Sequence, residues 1–222
     1  MTSNGPIGVL GGTFDPIHLA HLRLAEELAD TFGLTRVRFV PAAVPPHRGT
    51  PSASAQHRLD MVRLAVADNP LFQVDDRELA RQGPSYTFDT AREMRAEFDR
   101  PLCLLMGADA FLELATWHRW RELIELVHIV VARRPGYPLQ DLAAALPAAL
   151  KAEYLDRHCT ERAVLTQKPG GRIFTHELTA LDVSASALRK LIARGESLRY
   201  LLPDAVIAYI EKHRLYKGNN AS

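Results

Sequence analysis

The chain has 222 residues, 47% of them hydrophobic, which suits one α/β domain of ordinary size with ample material for a core. Lys and Arg number 27 against 26 Asp and Glu, a formal charge of +1, so no global field points to nucleic acid or an anionic membrane, and anion recognition has to be local. No apolar run approaches the ~20 residues of a membrane span, and MTSNGPIGVLGG lacks the organisation of a signal peptide. Cys103 and Cys159 make neither a disulfide framework nor a metal cluster, so a reducing cytoplasm is the expected setting.

In chain order, IGVLGG reads as a first strand. Leu19, Leu22, Ala25, Leu28, Ala29 and Phe32 then mark one helix face that stops at Gly33. VRFVPA is a second strand, followed by a proline-rich loop and a helix through Leu59, Val62 and Val66 with Ser54 as its N-cap. That helix should end at Asn69, because the residue before a proline is pushed out of the α region. LFQVDD is a short strand, and YTFDTAREMRAEF a helix capped by Ser85 or Thr87. PLCLLMG and HIVVAR are buried strands on either side of the helical segment ADAFLELATWHRWRELIEL. The stretch from Leu139 to about Arg157 is helical, RIFTHEL is a last strand, and SASALRKLIARG and PDAVIAYIEKHRL are closing helices. Alternating helices and strands that are apolar throughout predict a parallel sheet covered on both faces. Ligands should then sit outside the carboxyl ends of the strands, near the switch in strand order.

The segment GVLGGTFDPIHLAHLRLAEEL places two glycines and two histidines between a strand and a helix. Glycines let the backbone approach a ligand, and the helix N-terminus favours an anion. It is not a Walker A loop, since no Gly-Lys-Ser/Thr follows at the required spacing. Nor is it a dinucleotide fingerprint, because Gly8, Gly11 and Gly12 are wrongly spaced and the second strand ends in Pro41-Ala42 without an acidic residue. His18 and His21, at i and i+3, share a helix face and can address one anion. Zinc would need further ligands that no cysteine or HExxH pattern supplies; the plainest alternative is two polar residues on an exposed first turn. Ser184 is a natural N-cap with Ser186 and Arg189 on the same surface, or else an ordinary cap beside a solvated arginine. Asp109 follows a strand and is either a ribose or substrate-organising acid or a helix N-cap. His47 and Arg48, held out by Pro45 and Pro46, and Arg133 and Arg134 after a strand are phosphate candidates or surface charge. Trp117 presents a flat aromatic face that could stack on a ligand ring, although a lone tryptophan is more often core, as Trp120 reads.

GGTFDPIHLAH looks like the His-x-Gly-His signature of the nucleotidylyltransferase superfamily. With VPPHR, GPSYTFDT, LLMGADAFLELATWHRW, LDVSASALR and YLLPDAVIAYIEKHRLY it resembles the bacterial nicotinate-nucleotide adenylyltransferase family along nearly the whole chain, residues 140–171 excepted. The resemblance implies a Rossmann-like, doubly wound, mostly parallel sheet with helices on both faces. It implies a single domain over 1–222 with a small C-terminal helical annex from about residue 184. The family joins ATP and nicotinate mononucleotide into nicotinate adenine dinucleotide and pyrophosphate in NAD biosynthesis, using Mg²⁺. Carried over by position, His18, His21 and Arg189 are catalytic. Gly11, Gly12, Thr13, Phe14, His18, His21, Ser184, Ser186 and Arg189 address ATP. His47, Arg48, Tyr86, Thr87, Asp109, Trp117, His118 and Arg134 address the mononucleotide, and no side chain is assigned to metal.

The partners so implied are the two nucleotides, with neither nucleic acid nor membrane and with room for a homo-oligomer. Ala20 departs from the family's glycine, and VSASALR from its usual phosphate motif, although Ser184, Ser186 and Arg189 match. Rival readings are a phosphopantetheine adenylyltransferase, a tRNA-binding protein and a non-catalytic nucleotide sensor. The tRNA reading lacks a Lys-Met-Ser-Lys-Ser-like loop and a basic footprint.

Overall fold

A computed structural model describes residues 5–46, 49–133, 139–179 and 181–217. Among the described residues six strands, β1 (Ile7–Gly12), β2 (Arg36–Pro41), β3 (Phe72–Val74), β4 (Leu102–Gly107), β5 (His128–Arg133) and β6 (Ile173–Glu177), form one sheet in the order β3-β2-β1-β4-β5-β6. Every pairing is parallel, with Ile7 beside Arg36 on one flank and beside Leu102 on the other. The order reverses between β1 and β4, so the crevice beyond their carboxyl ends is the topological switch point.

The helices are α1 (Leu19–Phe32), α2 (Ala55–Val66), α3 (Arg77–Ala80), α4 (Thr87–Glu97), α5 (Ala108–Leu112), α6 (Trp120–Leu126), α7 (Leu139–Ala145), α8 (Ala148–Arg157), α9 (Ala185–Arg194) and α10 (Asp204–Lys212). Because strand side chains alternate, β4 sends Cys103 and Leu105 to one face and Leu104 and Met106 to the other. The first face is covered by α1 (Ala25, Leu28), α2 (Met61, Val62), α9 (Leu188, Ile192) and α10 (Val206, Ile210) in one buried cluster. The second carries Phe88 and Met94 of α4, Phe111 of α5, Trp120 and Leu123 of α6, and Leu150 and Tyr154 of α8. A doubly wound α/β sheet was expected, and it is what the chain forms.

Three helix boundaries differ from the sequence expectation. α2 stops at Val66, three residues before Asn69, and Asn69 Oδ1 instead accepts the Leu71 N–H at 3.0 Å to build the turn into β3. The long helix expected over 108–126 is broken into α5, a 3₁₀ turn (Leu114–Thr116) and α6, with Arg119 in the left-handed region at φ 53°. The stretch from Leu139 divides at Leu146-Pro147, since a residue preceding proline leaves the helix.

One glycine is fixed by packing alone. A β-carbon on Gly170 would lie 2.6 Å from Val127 N, 2.8 Å from Leu126 C and 2.9 Å from Glu125 O, all main-chain atoms that cannot swing away. Gly170→Ala is expected to cost about 1–3 kcal/mol in urea unfolding, as overpacking does. Gly11→Ala, whose β-carbon would meet nothing within 4 Å, should stay within about 0.5 kcal/mol of the parent.

Candidate active site

β1 delivers the chain into the crevice at Gly11 and Gly12. Gly11 faces open space, so the strand end presents bare backbone there, while a β-carbon on Gly12 would come within 3.0 Å of the Phe14 ring. Phe14 has φ 49°, is buried, and sets its ring edge-on to His21 at 5.1 Å. The next residue anchors the turn. Asp15 is 5% exposed, and its carboxylate accepts the N–H groups of Ser52 (2.7 Å) and Ala53 (3.1 Å) and the hydroxyl of Tyr216 (2.7 Å). Burial, together with the bond to Asp15, pushes the Tyr216 phenol well above its usual range.

His18 occupies the N-cap of α1 and stacks on His21, with ring centroids 3.7 Å apart and planes at 25°. The His18 N–H donates to His21 Nδ1 at 3.3 Å, which puts a lone pair on that nitrogen and, in the neutral ring, the proton on Nε2. His18 is buried, and loss of solvation lowers its pKa to about 4, so it is a neutral imidazole at neutral pH. Its Nδ1 is buried and finds no hydrogen-bond partner among the described residues. The helix end is less open than the sequence suggests. The first N–H of α1, on Leu19, is taken at 3.0 Å by the carbonyl of Leu201, from the loop between α9 and α10.

α9 begins beside this turn. Ser184 Oγ caps it by accepting the Ala187 N–H at 3.3 Å and lies 3.2 Å from Ser186 Oγ. Arg189 Nη1 donates to the Asp15 carbonyl at 2.7 Å, so the first turns of α9 and the turn after β1 are fixed together. Four sequence-predicted groups, His18, His21, the Ser184/Ser186 pair and Arg189, thus converge through Asp15 and its neighbours.

Across the switch point, β4 ends at Gly107, which holds the N-cap position of α5. Asp109 is therefore the second residue of that helix rather than its cap. A β-carbon on Gly107 would lie 2.5 Å from Asp109 Oδ1, so the glycine makes room for the carboxylate to fold back over the strand end. Tyr86, at the N-cap of α4, stacks on His118 at 4.3 Å with planes at 26°, and Arg119 lies over the Phe88 ring at 3.9 Å. The turns around Tyr86-Thr87 and Trp117-His118 are thereby held against each other, with Trp117 half-buried and His118 exposed. His47, Arg48 and Arg134 lie outside the described residues.

Ser85 was expected as a helix cap, alternatively Thr87, but α4 has no side-chain cap at all. Ser85 Oγ is occupied elsewhere, accepting the N–H groups of Ala43 (2.9 Å) and Val44 (3.2 Å) after β2. Asp15, Arg58 and Tyr216 are structural members of the site that the sequence did not single out, and Ser85 was marked only as a cap. For Arg58 a signal was present: it lies four residues before Val62 on the apolar stripe of α2, and it is 1% exposed.

The neutral, buried state of His18 has a pH consequence. An unfolded histidine has its pKa near 6.5 and the folded one near 4, so protonation favours the unfolded chain. Its contribution is intact above pH 6.5 and is lost as the pH falls towards 4, by an amount on the order of 3 kcal/mol. His18→Asn should flatten the fall in urea-unfolding free energy between pH 7 and 4.5; a slope identical to the parent's would show that His18 is not buried neutral.

The chain matches the cytidylyltransferase-like family over residues 9–191. A protein of Dechloromonas aromatica is 48% identical over 216 residues, covering 96% of this chain and 99% of its own length. One of Pseudomonas fluorescens is 50% identical, covering 96% of this chain and 98% of its own. Both carry the name "probable nicotinate-nucleotide adenylyltransferase". Among solved structures, Plasmodium falciparum nicotinic acid mononucleotide adenylyltransferase complexed with NaAD superposes with a TM-score of 0.72 at 15% identity, covering 96% of this chain and 97% of that one. At that identity the superposition speaks for the fold, and the curated relatives speak for the family. With about half of its residues identical to theirs along nearly the full length of each, the chain belongs to the nicotinate-nucleotide adenylyltransferase family of cytidylyltransferase-like proteins.

Proposed function

We propose that the protein transfers the adenylyl group of ATP to nicotinate mononucleotide, giving nicotinate adenine dinucleotide and pyrophosphate, a step of NAD biosynthesis. The observation that carries this reading is the convergence at one switch point of a stacked histidine pair, the Ser184/Arg189 turn and the Tyr86–His118 pair. The acceptor's phosphate oxygen is already anionic, so no general base is needed. That oxygen bonds to the α-phosphorus while the bond from phosphorus to the bridging oxygen breaks and pyrophosphate departs. The task is to hold two anions in line and to stabilise charge as it moves onto the leaving group.

On the ATP side, His18 and His21 address the phosphates, with His21 offering Nε2–H. Gly11, Gly12, Thr13 and Phe14 form the backbone cradle. Ser184, Ser186 and Arg189 hold the β- and γ-phosphates, Arg189 through the N–H groups not spent on Asp15. On the acceptor side, Asp109 takes ribose hydroxyls, His47, Arg48 and Arg134 the phosphate, and Trp117 stacks on the pyridine ring. The turn at Tyr86-Thr87 and the backbone N–H groups around Thr87 and His118 frame the nicotinate carboxylate. Among the described residues no three His, Cys, Asp or Glu side chains gather as a metal cage. Mg²⁺ held by the nucleotide's own phosphates would neutralise charge there. Among the described residues no helix is long and apolar enough to cross a membrane.

With saturating ATP and nicotinate mononucleotide, His18→Ala and His21→Ala should each lower kcat roughly 10²–10³-fold, the usual loss of a preorganised donor. A near-parental kcat in a folded variant would remove that histidine from the reaction. Acid should also be preferred over amide. A carboxylate pairs with two backbone donors, whereas the amide of nicotinamide mononucleotide turns an NH₂ towards one of them. A buried unpaired donor costs about 1–3 kcal/mol. With the lost charge, the kcat/KM ratio should favour nicotinate by about 10²–10⁴-fold. Equal kcat/KM for the two mononucleotides would overturn the carboxylate clamp, and turnover of phosphopantetheine alone would overturn the acceptor assignment.

A further inference from the structure

The loop that leaves β2 is gripped from both sides. Its Ala42 N–H donates to the Gly12 carbonyl at 2.9 Å. Ala43 and Val44 give their N–H groups to Ser85 Oγ, and the Ser85 N–H returns a bond to the Val44 carbonyl at 2.9 Å. The remaining carbonyls, of Ala42 and Ala43, accept from Arg58 Nη1 (2.6 Å) and Nη2 (3.1 Å). The same guanidinium also reaches the Thr13 carbonyl with Nη1 (2.7 Å) and the Ala53 carbonyl with Nε (3.2 Å). One rigid planar group therefore bridges the turn after β1, the loop after β2 and the start of α2. Through Ser85 that loop is tied onward to the turn at Tyr86.

We propose that Arg58 is a positioning residue for adenylyl transfer: its guanidinium sets the separation between the ATP-binding turn and the acceptor-binding loop. This rests on the adenylyl-transfer reading given above. Arg58 is 1% exposed, and its four hydrogen bonds all go to neutral carbonyls rather than to a carboxylate. Burying a cation in that way is a costly means of filling space, since a hydrophobic side chain of similar volume does so without the desolvation penalty. What the cation supplies and an apolar group cannot is a fixed fork that holds three backbone segments at once. The other side of the grip is oriented in the same manner. Ser85 spends both lone pairs on Ala43 and Val44, and it lies beside the buried Glu78, which accepts the Thr90 hydroxyl at 2.6 Å.

The test is a split between binding and turnover. Arg58→Lys, Arg58→Met and Ser85→Ala are compared with the parent by steady-state kinetics with both substrates varied, by calorimetric titration with ATP alone, and by thermal unfolding. Rates are normalised to folded protein. The expected result for folded Arg58 variants is kcat lowered roughly 10–100-fold, since a misplacement near 1 Å costs about that much. KM for each substrate and the ATP affinity should stay within about threefold, and lysine should recover part of the loss shown by methionine. Ser85→Ala should show the same pattern more weakly. Parental kcat per folded molecule in either Arg58 variant, or a loss confined to the KM of one substrate, overturns the proposal. If neither Arg58 variant folds, parental kcat in Ser85→Ala overturns it and a kcat-only loss supports it. Absence of transfer to nicotinate mononucleotide by the parent protein would instead strike the functional reading.

Discussion

The burial of the Asp15 carboxylate is the constraint on which the rest of the site depends. A carboxylate taken out of water must recover hydrogen bonds inside the protein or destabilise the fold by several kcal/mol. Asp15 recovers three of them from two distant parts of the chain: the amides of Ser52 and Ala53 before α2, and the hydroxyl of Tyr216 beyond α10. Its main-chain carbonyl adds a fourth bond, from Arg189 of α9. The turn that follows β1 is thus shaped by the distant segments that satisfy it. The orientation of Phe14 and the placement of His18 at the head of α1 both follow from that turn.

A parallel sheet whose order reverses between β1 and β4 offers two half-sites that share no helix. One is built from α1 and α9, the other from the first turns of α4, α5 and α6. For a reaction between two anions that needs no proton transfer at the attacking atom, this division suits the chemistry, because the barrier is lowered by geometry and fixed partial charges. The stacked histidine rings fit the same logic. With His18 kept neutral by burial, two imidazoles sit 3.7 Å apart without the repulsion that two imidazolium ions would suffer.

Strand positions, the parallel sheet and the location of the crevice were legible because strands buried on both faces are apolar throughout and helices between them are periodic. The histidine pair and Ser184 with Arg189 were legible from spacing and from family likeness. Less visible were the features that depend on where a side chain's partner lies in space. Ser85 carries the composition of a cap, yet the unpaired amides of Ala43 and Val44 compete for it and win. The open helix N-terminus expected at α1 is partly filled by Leu201, some 180 residues away, and nothing local announces that bond. The helix expected over 108–126 is interrupted by an extended Trp117 and a left-handed Arg119 that no glycine or asparagine signals. Arg58 was marked only by being a charge on an apolar stripe.

Tyr216 and Asp15 meet across a sequence separation of 201 residues. On the ribosome, where chains grow at about 5–20 residues per second, the first turn therefore waits on the order of ten seconds or more for its last partner. Through that interval the Asp15 carboxylate lacks the Tyr216 hydroxyl, and α1 lacks the cover that α9 and α10 bring to its face of the sheet. The shape of the β1 turn in this way depends on synthesis having passed Tyr216. A chain cut before α9 carries the whole glycine–histidine segment but neither Arg189 nor Tyr216, which set it, and leaves uncovered the apolar face on which α9 and α10 pack.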